Sequence, residues 1–107
     1  MVTLRGWLNA LSFDWASGTI VLQYVDEDDY INGNPTVKAQ QIQSTDIILD
    51  RQFSDGFGGL DAPHIIASDL KHVYIIGQYD GSSWMERVSK DVLRYLDPKV
   101  TIPIIGG

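Results

Sequence analysis

Apolar and polar residues alternate along this chain in short blocks, and most blocks are the length of a β-strand. The clearest are Thr19–Val25 (TIVLQYV) and His72–Tyr79 (HVYIIGQY), both rich in β-branched and aromatic residues. Residues 36–43 (TVKAQQIQ) hold three Gln and one Lys, which suits an edge strand with a wet face. Residues 45–51 (TDIILDR) place a compact apolar centre between charges and read as a further strand. Residues 3–8 and 12–16 read as shorter strands, with a tight hairpin over 14–19, where Asp14 can cap the turn and Gly18 can take a left-handed conformation. Residues 64–70 fit a short strand or one helical turn.

Helical spacing is found once. In residues 83–96, Met85, Val88, Val92 and Leu96 fall on one face, with Trp84 and Tyr95 on its flank. Ser83 and Glu86 match a capping box, and Asp97-Pro98 ends the segment. Turn signals stand at Asn32-Gly33 and Asp80-Gly81, and residues 54–63 (SDGFGGLDAP) read as a long loop around Phe57 and Leu60. Residues 100–105 (VTIPII) contain a proline, which suits an edge strand or an arm. The pattern predicts an α+β chain, mostly antiparallel β: a small sheet or barrel with one C-terminal helix, 83–96, packed on it. Its 107 residues suit a single domain, 1–107, with residues 98–107 as an extended C-terminal arm.

Composition narrows the function more than the fold. Eight basic residues face 14 acidic ones, a formal net charge of -6, which speaks against the basic stripe that nucleic-acid binding needs. Cysteine is absent, so disulfides, thiolate catalysis and Cys-ligated metal sites are excluded. No run approaches the roughly 20 apolar residues of a membrane span, and the first 15 residues lack the apolar core of a signal peptide. The expected compartment is therefore cytoplasmic or a virion.

Candidate chemistry is sparse. Asp26, Glu27, Asp28 and Asp29 form an acidic run, but neither register of the calcium-loop pattern fits, since the twelfth position falls on Val37 or Ala39 where Glu is needed. A solvated acidic loop is the plainer reading. His64 and His72 stand eight residues apart and match no helical ligand pair. Ser68, Asp69, Ser82 and Ser83 supply triad residue types without a nucleophile elbow, and Ser82 and Ser83 have a sufficient task at a helix start. The glycines at 56, 58 and 59 lack the Lys-Ser/Thr of a phosphate loop.

The expected function is a non-catalytic protein–protein interaction subunit without a cofactor or metal. Its partners would be proteins, as a homo-oligomer or part of a larger assembly such as a bacteriophage head, neck or tail, and not nucleic acid or membrane. The residues expected to make contacts are Asp26, Glu27, Asp28, Asp29 and Tyr30 in the acidic segment, Phe57 and Leu60 in the glycine-rich loop, and Ile102, Ile104 and Ile105 near the C-terminus. One alternative is an acidic inhibitor of the immunity type that fills a basic groove on a partner. A second is a small hydrolase using one of the histidines.

Overall fold

A computed structural model describes residues 1–25, 33, 37–56 and 62–93. Among the described residues, five antiparallel strands form one sheet: β1 (Thr19–Val25), β2 (Val37–Ile42), β3 (Ile65–Ser68), β4 (His72–Tyr79) and β5 (Ser82–Ser89). Their order is β2-β1-β3-β4-β5, so every neighbouring pair except β1 and β3 is also consecutive in the chain. The polar strand β2 lies at one edge, as its composition predicts, and the mostly antiparallel β architecture stands.

The expected helix over 83–96 is corrected. Residues 82–89 are strand β5, and only Lys90–Leu93 form a helical turn, while positions 94–96 lie outside the described residues. The reason is the turn before it. Asp80 and Gly81 both take positive φ, 51° and 81°, the type I′ geometry whose twist matches a two-residue hairpin. That turn pairs β4 with β5 over eight positions, from Tyr79 with Ser82 to His72 with Ser89. Pairing overrides the helical spacing, because Met85 and Val88 fit a strand as readily as a helix. Ser83 and Glu86 then fall on opposite faces of the sheet, and no capping box forms.

Three further expectations change. Residues 3–8 are not a strand: Leu4–Ala10 form helix α1, with the Thr3 hydroxyl accepting from Gly6 N at 3.0 Å as its N-cap. The Leu4, Leu8 and Leu11 spacing puts three apolar residues on one stripe, and Leu4 and Leu8 are fully buried. Thr3→Ala removes that cap and should lower stability by about 1 kcal/mol in urea melts, with the core unchanged. Residues 12–16 form turns, not a strand, although Asp14 caps them as expected, accepting from Ala16 N at 3.0 Å and Ser17 Oγ at 2.7 Å. Residues 45–51 hold a 3₁₀ helix, Ile47–Asp50, started by Asp46, whose side chain accepts from Ile48 N at 3.0 Å. Only Leu49 of that segment is buried, while Ile47 is 84% exposed.

The core lies on one side of the sheet. Ile20, Ile42, Ile65, Ala67, Tyr74 and Met85 project there and are buried beneath Leu4 and Leu8 of α1, Leu49 and Phe53. Arg5 clamps α1 to the 3₁₀ helix by two bonds to Asp50, at 2.6 and 3.2 Å, and one to Ser44 O at 2.8 Å. Its guanidinium also lies 4.9 Å from the Trp15 ring. Trp7 packs edge-on against Phe53, whose strand-like bridge to Val2 ties the N-terminus down. Among the described residues no helix is long and apolar enough to cross a membrane.

Candidate functional site

Two places in the fold invite a functional reading. One is a cleft of about 260 Å³ bounded by Ser12, Asp14, Asp69, Lys71, His72 and Arg87. At its base, Asp69 is 6% exposed and closes the turn between β3 and β4. Its Oδ1 accepts from Lys71 N at 3.0 Å and His72 N at 2.9 Å. Its Oδ2 accepts from Tyr74 Oη at 2.6 Å and Asp14 N at 3.2 Å.

Burial pushes this carboxyl up, but the Tyr74 hydroxyl and the three backbone N–H groups outweigh it and hold Asp69 well below the usual carboxylate range. Burial also raises the Tyr74 phenol, and with its bond to the Asp69 carboxylate it reaches about 12. A carboxylate with four donors and a depressed pKa is a poor proton acceptor at neutral pH. The cluster is therefore a structural clamp, fastening the 12–18 turn to the β3–β4 turn.

The histidines do not converge. His72 is half-buried beside this clamp, its Nδ1 3.9 Å from Asp69 Oδ1. His64 is exposed and borders a different cavity, with Gln23, Ile66 and Ile75. Ser83 is buried on the core face, its N–H bonded to Asp55 O at 2.8 Å, and Ser82 closes the β4–β5 hairpin. Among the described residues no group of three or more His, Cys, Asp or Glu is arranged to hold a metal ion.

The second place is the opposite face of the sheet. Strand alternation turns Val21, Ala39, Gln41, Ile66, Val73 and Ile75 outward, together with Trp84, Glu86 and Val88. Ile66, Ile75 and Trp84 are 37%, 36% and 37% exposed. Tyr79, on the same face, stands out further at 76%. Trp84 lies flat over Gly77: a Cβ on that glycine would sit 2.7 Å from the indole. The Trp84 indole N–H donates to Glu86 Oε1 at 2.8 Å, which fixes the ring. Glu86 is the sole full charge at neutral pH among the outward-facing described strand residues, on a chain with 22 charged side chains. An antiparallel sheet with one solvated face ordinarily makes that face polar; this one is apolar and nearly uncharged.

All ten residues expected to make contacts, Asp26, Glu27, Asp28, Asp29, Tyr30, Phe57, Leu60, Ile102, Ile104 and Ile105, lie outside the described residues, as does the arm 98–107. The outward face went unread because Ile66, Ile75 and Trp84 have the composition of a core. The available signal was HVYIIGQY itself, which is apolar at successive positions and so presents apolar side chains to both faces. Compared with family models, with curated proteins and with solved structures, the chain matches none.

Proposed function

We propose that this chain is a non-catalytic protein–protein interaction subunit and that the outward sheet face is the surface it offers. The observation that carries the reading is the combination on that face of exposed Ile66, Ile75, Trp84 and Tyr79 with a single carboxylate among the described strand residues. Interface cores are depleted in charge and enriched in aromatic side chains. An apolar patch of this breadth on a small acidic protein favours association over solvation. A structural component of a larger particle, such as a bacteriophage head, neck or tail protein, is the finer form of this proposal. It agrees with the one carboxylate buried among the described residues, Asp69, being spent on holding turns together.

The test is sedimentation of an extract from cells expressing the chain. The wild type should run in species larger than the 11.9 kDa monomer, and Ile75→Glu should shift it to monomer size. A wild type that already sediments as a monomer in the extract overturns the reading.

A further inference from the structure

We infer that the occupant of the outward face is a second copy of this chain, packed sheet against sheet. The inference rests on the interaction reading above and names its partner. Its basis is the strand register. Val21 pairs with Gln41 and with Ile66, and Ile75 pairs with Glu86. Continuing the β3–β4 register by one place sets Ile66 beside Ile75, and both border one cavity. One row across the sheet thus reads Gln41, Val21, Ile66, Ile75, Glu86: an amide, three aliphatic residues and a carboxylate, with Ile66 at the centre.

That row is complementary to itself. Consider a two-fold axis between two such sheets, running along β3. It lays β5 of one copy over β2 of the other. Ile66 then meets Ile66, Ile75 meets Val21, and the Glu86 carboxylate of one copy faces the Gln41 amide of the other. One Glu86 oxygen takes the Trp84 N–H, and Gln41 is exposed. The adjoining row sets Trp84 over Ala39, a large side chain over a small one. An axis across the strands would instead bring Glu86 onto Glu86, so charge selects the first arrangement.

Area and net charge agree with this. Five strands at about 4.8 Å spacing and about seven residues at about 3.3 Å cover roughly 24 by 23 Å. Two copies therefore cover about 1,100 Å² together, just above the roughly 1,000 Å² that a specific interface needs. For a chain of net charge -6, the nearly uncharged face is also where an identical copy can approach with least repulsion.

Sedimentation equilibrium of the purified chain tests this, with the exposed position 41 as the probe. The wild type should weigh twice 11.9 kDa at micromolar concentration. Gln41→Glu sets carboxylate against carboxylate and should raise the dissociation constant at least about tenfold, whereas Gln41→Lys should lower it. Combining Gln41→Glu with Glu86→Gln restores an amide–carboxylate pair and should return the constant to within about threefold of wild type. A purified wild type that stays monomeric near millimolar concentration overturns the inference, as does a dimer indifferent to all three variants. If the pure chain is monomeric while the extract holds it in large species, the second copy is wrong and the interaction reading survives. Monomer in both removes both.

Discussion

Replacing Asp69 with Asn should cost about 4 kcal/mol, a large share of the roughly 5–15 kcal/mol that holds a domain of this size together. The carboxylate accepts from four donors on two stretches of chain, Asp14 on one and Lys71, His72 and Tyr74 on the other. An amide supplies one oxygen, enough for the Lys71 and His72 N–H groups, and turns its NH₂ towards the Asp14 N–H and the Tyr74 hydroxyl. The Tyr74 hydroxyl can turn to accept, but the Asp14 N–H then meets a donor in a buried place. Tyr74→Phe, which removes one donor and leaves the carboxylate otherwise satisfied, should cost less, about 2 kcal/mol. Urea melts at neutral pH check both.

The same cluster sets the pH response. Asp69 has its pKa depressed by folding, so its contribution is complete above the unfolded value near 3.9 and drains as pH falls below it. Between about pH 4 and pH 2 the wild type should lose up to about 1.4 kcal/mol per unit from this group, and Asp69→Asn should lack that component. Tyr74 acts at the other end. Its pKa is raised to about 12, so its contribution is complete below the unfolded value near 10 and is lost as pH climbs through 12. Tyr74→Phe should flatten the alkaline limb.

Gly18→Ala should cost about 3 kcal/mol, more than its size suggests, because the site leaves no room. A Cβ there would overlap the Phe13 ring and lie 2.6 Å from the Asp14 carbonyl oxygen. A flexible side-chain tip could swing away, but a backbone carbonyl cannot. The Phe13 ring is itself held edge-on between Trp15, at 4.9 Å between centroids, and Tyr74, at 5.2 Å. The added methyl therefore disturbs the clamp as well as the turn. A lowered urea midpoint with an unchanged m-value is the expected result; a loss below 1 kcal/mol would show that the turn relaxes.

How much of this was legible beforehand follows from where the deciding information sits. Thr19–Val25 and His72–Tyr79 are strands by their own composition, and Asp80-Gly81 announces a turn in two residues. Residues 82–89 carry apolar positions compatible with both periods, and what chooses is a neighbour, β4, aligned by that turn. The spacing of Leu4, Leu8 and Leu11 suits a helix face, but in a seven-residue helix it is too brief to stand out against a short mixed strand. Residues 45–51 look like a strand because Ile47, Ile48 and Leu49 are adjacent, whereas the fold buries Leu49, packs Ile48 partly against the core and leaves Ile47 exposed. The candidate site was harder still. Its Ile and Trp side chains are of core type, and only the absence of a covering layer among the described residues distinguishes them from true core.

The sheet order has a kinetic consequence. Strands β3, β4 and β5 form one run of local hairpins, and β1 and β2 another, and the two arms join through four residue pairs, Thr19–Ser68 to Leu22–Ile65. Each arm can assemble from contacts close in sequence, but that seam must close a loop of some forty residues first. The seam should therefore govern the speed of folding: shortening Ile20, which pairs with Ala67, should slow refolding in stopped-flow measurements, and because the β4–β5 hairpin can form before the seam closes, changes near the Asp80 turn should also slow folding more than they speed unfolding.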